Sequence, residues 1–449
     1  MRKRVARLTS FALAALALGA LSLPAQAQIH PPKPGVPMPD AYYQRMAEDR
    51  TAFQFKRAWI RETERKRQNR EGLLRAGIMP MAGAAEVTVT GTKLVPVLAG
   101  KYSNTGADPY SVTALQNQLF DGPNPTGTMT DYYDEISYGN INLTGTVIGA
   151  QAGGLFQVAN TDTYYEGGCN GLCGTAKTGE YIKELLDGAD PWNDFGQYDN
   201  DGPDGLPNSG DDDGFVDFVA FVHPEFGGEC GGTNMWSHRW VYEGWWGSAY
   251  TTNDPAAGGG FIRVSDYTIQ PLIACGGGQI IEIGVYAHEF GHAFGLPDLY
   301  DTDSGNGDSE GIGQWGLMGS GSYGGDGNHP ETPSHMCAWS KEQLGWVIPE
   351  VVCIGGLSEQ LPAVENTPTV FKVYPQGVED TEYFLLEHRY KTGFDQWLPA
   401  SGLAIWHIDN DQPGNGDETH KLVDLEEADG LAHLDNAVNR GDSGDIHPG

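Results

Sequence analysis

Apolar and polar residues alternate along this chain in patterns that predict one α+β body between residues 86 and 350. Residues 86–100 alternate and then run apolar, which predicts a strand at the start of this body. Further along, periods of 3.6 and short apolar runs predict helices at 108–120, 128–138, 179–190 and 278–295 and strands at 140–149 and 213–224. The last of these helices is expected to be the longest of the body and to end at Gly295.

Two further segments flank this body. Residues 41–76 contain no proline and a single internal glycine, and they are rich in helix-forming charged residues, which predicts one helix. A proline-rich stretch precedes this helix, and a flexible, cleavable linker is expected at 76–85. After residue 350, strand-like runs separated by Gly, Pro and Asp predict a small β-rich module over residues 351–449. The sequence is expected to be a fragment that stops inside or just after this module.

The N-terminus has the pattern of a secretory signal peptide. Four basic residues in MRKRVARLTS precede an apolar run of 13 residues, which is too short to cross a membrane. Small residues in AQA then offer a cleavage site after Ala27. Residues 1–27 are therefore predicted to be removed, and the mature protein, without a membrane span, is expected outside the cell or in the periplasm. A buried N-terminal helix is the alternative interpretation.

Six cysteines fit an oxidising compartment of this kind. Proximity in the sequence favours disulfides between Cys169 and Cys173, Cys230 and Cys275, and Cys337 and Cys353. Zinc bound by cysteine is the competing interpretation, and the lack of paired CxxC motifs in the sequence speaks against it.

Charge divides the chain near residue 85. The formal net charge is −33, but residues 28–85 carry 11 basic and 6 acidic residues, whereas residues 86–449 carry 12 basic and 54 acidic residues. Residues 28–85 are therefore predicted to be a basic pro-segment that docks on the acidic body and covers a cleft, with a disordered spacer as the alternative. A body this acidic is expected to repel nucleic acid and anionic membranes and to attract divalent cations.

The candidate chemistry lies in VYAHEFGHAFGLPDLYD, residues 285–301. Helical positions four apart share a face, so His288 and His292 can hold one metal ion between two imidazole nitrogens. Zinc bound in this way polarises a peptide carbonyl and activates a water, whose proton the adjacent Glu289 takes and delivers to the leaving amine. The HExxH pattern therefore predicts a zinc site with Glu289 as its base. The alternative is a half-buried helix with two hydrogen-bonded histidines.

A third ligand is expected where the chain returns after this helix. A glycine three residues beyond the second histidine permits a sharp turn, and Asp298 completes the extended pattern HExxHxxGxxD. Asp301 is a rival for this role, and a more remote glutamate is a further possibility. In GQWGLMGSGSY, Met318 resembles the methionine turn below the zinc site of metzincins, and Tyr323 is expected close enough to hydrogen-bond a tetrahedral intermediate.

A calcium site is predicted in DNDGPDGLPNSGDDDGFVD, residues 199–217, which holds seven aspartates and no basic residue. Alternating carboxylates with intervening glycines suit calcium and resemble an interrupted EF-hand loop, although the final glutamate of such a loop is missing. The predicted ligands are Asp199, Asp201, Asp211, Asp213 and Asp217. A solvated acidic loop is the alternative, but these carboxylates abut an apolar strand, where they would repel one another without a cation.

Several motifs, taken in order, resemble the immune inhibitor A family of secreted bacterial metallopeptidases. The matching segments fall within roughly residues 86–430 and include TMTDYYDEISYGNINLTGTV, FGQYDNDG, DGFVDFVAFVHP, MWSHRW, HEFGHAFGLPDLYD, GQWGLMGSGSY and TEYFLLEHRYKTGFDQWLPASGLAIWHIDN. The resemblance implies a metzincin-like zincin domain, with a twisted mixed sheet and an active-site helix, followed by the β-rich module. It further implies zinc-dependent endopeptidase activity, an inhibitory pro-segment and bound calcium.

By motif position, the resemblance assigns zinc binding to His288, His292 and Asp298 and the role of base to Glu289, although metzincins have histidine where this chain has Asp298. The leading hypothesis is a secreted zinc endopeptidase made as a zymogen, whose partners are protein substrates and its own pro-segment. One alternative is a calcium-stabilised extracellular binding or adhesion module with an unused zinc site. Another is a metallohydrolase with a non-protein substrate.

Overall fold

The computed structural model describes residues 29–78, 84–303, 306–352 and 360–448. The predicted signal peptide and part of the predicted linker lie outside these ranges. The helices are α1 Asp40–Glu48, α2 Ile60–Arg75, α3 Val112–Gln116, α4 Met129–Ile136, α5 Asp162–Glu166, α6 Thr178–Ala189, α7 Glu243–Trp246, α8 Gly284–Ala293 and α9 Ala338–Gln343. The strands are β1 Gly91–Lys101, β2 Ile141–Ile148, β3 Phe156–Gln157, β4 Val219–Phe226, β5 His238–Val241, β6 Tyr250–Pro255, β7 Phe261–Val264, β8 Asp266–Ile273, β9 Glu350–Val351, β10 Phe371–Val373, β11 Glu382–Arg389, β12 Gly402–Asp409, β13 Val423–Leu425 and β14 His447–Pro448.

A mixed six-stranded sheet forms the centre of the predicted body, in the order β2-β1-β4-β8-β5 with β3 paired to β1. All its pairs are parallel except β5 with β8, which places an antiparallel strand at one edge. Successive side chains of a strand face opposite sides. Ala220 and Val222 of β4 accordingly join the apolar cluster that contains α8, whereas Val219 and Phe221 join the cluster that contains α6. Because both faces are covered, the strand appears in the sequence as a continuous apolar run.

A second six-stranded sheet lies in residues 350–448, in the order β13-β12-β11-β10-β9 with β14 paired to β12. Its central strands, β11 and β12, alternate buried and more exposed residues, as expected for a sheet that is covered on one face. Leu385 and Trp406 of the buried face belong to the same apolar cluster as Phe290 of α8. The second sheet therefore shares its core with the sheet that carries the candidate site, and the chain has a mixed α+β fold.

The predicted single helix over residues 41–76 is wrong, because α1 ends at Glu48 and α2 begins only at Ile60. Between them, the backbone amides of Lys56 and Arg57 donate to the buried Asp266 carboxylate at 2.9 and 2.6 Å. In a helix these two amides would donate to backbone carbonyls. Because they donate to the body instead, the residues between α1 and α2 are not helical. Phe53, with φ +58°, is fully buried in this non-helical stretch. Tertiary contacts therefore outweigh the helical propensity of the segment.

The predicted helix at 278–295 is also shorter than expected. Ile280 forms a bridge with Ile273, and the amide of Ile281 donates to Leu272 at 2.9 Å, so these residues continue the sheet. The helix α8 begins at Gly284 and, with 10 residues, is shorter than the 12-residue α6. Its predicted end is confirmed, since Gly295 follows it with φ +87°.

Two of the predicted disulfides are confirmed, Cys169–Cys173 and Cys230–Cys275. Cys337 is a buried free thiol, and Cys353, its predicted partner, lies outside the described residues. Within the part of the chain that is described, none of the helices is both long and apolar enough to span a bilayer.

Candidate active site

The helix α8 carries the predicted motif through the core. All ten of its residues are buried, so its polar side chains are costly to bury unless they find partners inside the protein. The imidazole Nδ1 of His288 lies 2.8 Å from the carbonyl oxygen of Leu317, and Nδ1 of His292 lies 2.7 Å from that of Leu296. Carbonyl oxygens only accept, so each Nδ1 carries a proton, and the Nε2 atoms of the two rings face the same point.

Asp298 meets these two nitrogens. Its Oδ1 lies 2.8 Å from Nε2 of His288 and 3.4 Å from Nε2 of His292, and the two nitrogens are 3.2 Å apart. A tetrahedral zinc with bonds near 2.0–2.1 Å separates its ligand atoms by roughly 3.3 Å. The three atoms therefore form one face of a tetrahedron of the size that zinc requires.

Asp301, the rival third ligand, is not part of this group. Its carboxylate accepts from the amide of Asp303 at 2.7 Å, and burial followed by a hydrogen bond with Glu418 raises its pKa to about 8. The chain returns from the Gly295 turn so that Asp298, fully buried, reaches the histidines first.

The charge on Asp298 is stabilised by its surroundings. Burial disfavours the ionised carboxylate, but the two histidines outweigh this effect and hold its pKa well below the ordinary value. The guanidinium of the buried Arg239 lies 3.9 Å from the second carboxylate oxygen. For His292, burial and then Arg239 lower the pKa to about 4, which keeps this imidazole neutral. An anionic oxygen next to a neutral imidazole suits a divalent cation.

Glu289 is fully buried beside this group, and neither of its carboxylate oxygens has a hydrogen-bond partner in the described structure. Burial is the main cause that raises its pKa to about 8, although His288 and Arg239 act in the opposite direction. An unsatisfied buried carboxyl group is costly. Such a group is common at functional sites, where substrate, water or metal completes its contacts.

Met318 packs against α8 at Gly291. A Cβ atom on Gly291 would approach the Met318 sulfur to 2.6 Å, so a larger residue here would displace this side chain. The neighbouring Leu317 supplies the carbonyl that orients His288, and the carbonyl of Met318 accepts from the amide of Leu299 at 2.8 Å. Leu317 and Met318 therefore link the first histidine to the segment that carries Asp298.

Tyr323 is buried, and its hydroxyl contacts the N-terminal segment. It donates to the carbonyl of Pro31 at 2.8 Å and lies 3.5 Å from Nδ1 of His30. The His30 ring is 5.1 Å from the His288 ring, centroid to centroid. His30 was not predicted; it is the one histidine among residues 28–85, and its isolation in a basic segment is the signal that the sequence offers.

The acidic loop brings together three side chains whose ligand atoms lie within 4.8 Å of one another, those of Asp199, Asp201 and Asp212. Asp212 was not among the predicted ligands, because it lies between Asp211 and Asp213, which form the alternating pattern. Of the remaining predicted ligands, Asp211 accepts from the Ser209 hydroxyl, Asp213 pairs with Arg61 at 2.9 Å, and Asp217 accepts from the Trp59 indole at 2.9 Å.

The catalytic-domain model of the immune inhibitor A peptidases matches residues 105–347. The chain belongs to this family. Over 303 residues it is 31% identical to the pre-pro-metalloprotease PrtV of Vibrio cholerae serotype O1, in an alignment that covers 61% of this chain and 31% of that protein. It is also 31% identical over 214 residues to immune inhibitor A of Bacillus thuringiensis subsp. alesti, which covers 44% of this chain and 29% of that protein. The chain thus spans about a third of the length of these curated relatives. Residues 105–347 therefore correspond to the catalytic domain of this peptidase family.

Proposed function

We propose that this peptidase is a secreted, zinc-dependent endopeptidase made as a precursor, whose residues 29–78 cover its active site. The single observation that supports zinc best is the triangle of His288, His292 and Asp298, with sides of 2.8, 3.2 and 3.4 Å. The set of two imidazoles and one carboxylate is a frequent one for catalytic zinc. The HExxHxxGxxD order and the methionine below the helix favour a metzincin-like site in which aspartate replaces the third histidine.

When zinc is bound at this triangle, it supplies a Lewis acid for the peptide carbonyl and for a water molecule. Glu289 would accept a proton from the water that attacks the carbonyl carbon, and it would return this proton to the leaving nitrogen as the C–N bond breaks. The carboxylate has no competing hydrogen-bond partner in the described structure, which leaves both oxygens available for this transfer. Once the N-terminal segment is gone, the Tyr323 hydroxyl is available to donate to the oxyanion.

The cavity beside Tyr323 is the proposed substrate cleft. A cavity of about 710 Å³ is lined by Val285, three residues before His288, by Tyr323, and by the half-buried Glu282. Lys33 of the N-terminal segment also lines it. Along the neighbouring edge strand β5, Ile29 forms an antiparallel bridge with His238, and the amide of His30 donates to Ser237 at 3.1 Å. An extended substrate would add to this exposed edge in the same way, so residues 29–33 take the place of substrate in the precursor.

Charge complementarity supports the same role for the segment. Arg57 lies 3.5 Å from Asp213, and Arg61 lies 2.9 Å from Asp213 and 3.4 Å from Asp201. Lys93 of the body pairs with Glu62 of α2. The two arginines bind the basic segment to the acidic loop. We propose that this loop holds calcium through Asp199, Asp201 and Asp212.

The function is tested by casein cleavage, with Glu289→Gln as the variant and Glu350→Gln, an exposed glutamate of β9 in the second sheet, as its matched control. We expect 1,10-phenanthroline to abolish cleavage. Glu289→Gln should lower the rate by at least about a hundredfold while the bound zinc stays constant, since removal of a general base costs roughly 10²–10⁴ in rate. Cleavage at the wild-type rate by a zinc-loaded Glu289→Gln protein would show that the proposed mechanism is wrong.

A further inference from the structure

The edge strand β5 contributes an arginine to the surroundings of the candidate metal site. Arg239 belongs to the sequence MWSHRW, and it pairs across the sheet with Thr268, which in turn pairs with Ala220. Residues that are paired in register share a face of the sheet. Because Ala220 belongs to the apolar cluster that contains α8, the side chain of Arg239 lies on the face that carries the HExxH helix.

The guanidinium of Arg239 is enclosed by the protein. The residue is 6% exposed, and its Nη1 is buried without a hydrogen-bond partner in the described structure. A buried cation is costly unless an anion lies close to it. Nη1 lies 3.9 Å from Oδ2 of Asp298, a residue that is itself fully buried. This separation is longer than a hydrogen bond, so the attraction is electrostatic and depends on the charge of the guanidinium.

The two oxygens of Asp298 have different neighbours. Oδ1 lies 2.8 Å from Nε2 of His288 and 3.4 Å from Nε2 of His292, whereas Oδ2 lies on the side of Arg239. An imidazole offers a metal ion one nitrogen, but a carboxylate can bind through one oxygen or through both. Where an aspartate takes the place of a histidine ligand, a second oxygen on the ion would fill the position that a catalytic zinc keeps open.

We propose that Arg239 is a positioning residue that holds Oδ2 of Asp298 away from the zinc, so that the aspartate binds through Oδ1 alone. This role rests on the proposed zinc function of His288, His292 and Asp298. Arg239 contacts neither the ion nor the substrate; its charge attracts one oxygen of a ligand and thereby leaves the fourth position of the ion to water and the substrate carbonyl. Oδ2 is already on the side of Arg239 in the structure, so the role requires no rearrangement.

The test is the crystal structure of the zinc-loaded precursor, compared between the wild type, Arg239→Met and Arg239→Lys. In the wild type we expect one oxygen of Asp298 within about 2.0–2.2 Å of the zinc. Methionine keeps an unbranched side chain but removes the charge, so in Arg239→Met both oxygens should bind and the number of zinc ligands should rise by one. Lysine restores the charge and should restore the single bond.

The matched control is Arg263→Met. This exposed arginine lies on β7, with its guanidinium 3.8 Å from the centre of the Phe215 ring, and its replacement should leave Asp298 bound through one oxygen. Casein cleavage by the processed enzymes gives a second readout. At equal zinc content, Arg239→Met should be roughly tenfold to a hundredfold slower than Arg263→Met, and Arg239→Lys should be faster than Arg239→Met.

The possible failures are distinguishable. An Asp298 that binds through both oxygens in the wild type, or through one oxygen in Arg239→Met, would overturn the role of Arg239 and leave the zinc function intact. The same holds if Arg239→Lys binds zinc in the manner of Arg239→Met. A precursor that takes up no zinc at His288, His292 and Asp298 would overturn the proposed function itself. If Arg239→Met does not fold, the wild-type and Arg239→Lys structures still decide, because the proposal requires a single bonded oxygen in each.

Discussion

Trp59 offers a direct measurement of how firmly the N-terminal segment is docked. Its ring is fully buried, 4.6 Å from that of Phe294 and 5.0 Å from that of Phe218. Its indole donates to Asp217 at 2.9 Å, and its backbone amide donates to Ala293, the last residue of α8, at 2.9 Å. Since the tryptophan belongs to the segment and its partners belong to the body, the substitution Trp59→Ala weakens this interface.

The magnitude follows from the cost of such a truncation. Replacement of a buried tryptophan by alanine costs about 3–5 kcal/mol, because apolar contacts are lost and a cavity remains. With about 1.4 kcal/mol for each factor of ten, the population of precursor with a released segment should rise by roughly two to four powers of ten. The Asp217 carboxylate also loses a hydrogen bond inside the protein, which adds to the cost.

Native-state proteolysis measures this population. The precursor is incubated with a second protease under native conditions, and the rate of cleavage within residues 29–78 is followed by mass spectrometry. When the segment closes faster than the protease cuts, the cleavage rate reports the equilibrium fraction that is open. Trp192→Ala is the control, since this tryptophan is 39% exposed and lies in the body. Equal cleavage rates for the two variants would refute the claim that Trp59 anchors the segment.

Three further predictions concern the metals and the precursor. Asp298→Asn should lower the affinity for zinc by at least about tenfold, whereas Asp301→Asn should leave zinc binding unchanged; equilibrium dialysis with metal analysis compares them. In the cation-free loop, burial and then the neighbouring carboxylates raise the pKa of Asp199 to about 7, so its contribution to stability falls as the pH rises towards that value and calcium restores it. The increase in Tm on calcium addition should therefore be larger near pH 8 than near pH 5.5, and an equal or smaller increase near pH 8, measured by scanning fluorimetry, would contradict this. Protein that begins near residue 28 should cleave casein more slowly than protein that begins near residue 86, and equal rates would exclude an inhibitory segment.

Local spacing made the centre of the candidate site predictable. His288 and His292 share a helical face whatever the rest of the fold does, because they are four residues apart. Glu289 is part of the same HExxH motif. The choice between Asp298 and Asp301 needed the path of the chain after the helix, which the sequence leaves open. In the structure only Asp298 reaches the histidines.

Contacts between distant parts of the chain account for the wrong or missing predictions. The break between α1 and α2 depends on amides that bind Asp266, more than 200 residues away. His30 contacts His288 across a similar separation in the sequence, and the residues around neither histidine predict this contact. Asp212 joins Asp199 and Asp201 because the loop folds back on itself, an arrangement that alternation along the sequence does not encode.

The central claim, one zinc between two imidazoles and one carboxylate, is tested most directly by anomalous diffraction at the zinc edge from crystals of the zinc-loaded protein. We predict one peak within about 2.0–2.2 Å of Nε2 of His288, Nε2 of His292 and a carboxylate oxygen of Asp298. A peak at any other group of side chains, or no peak between these three atoms when zinc is supplied, would contradict the account.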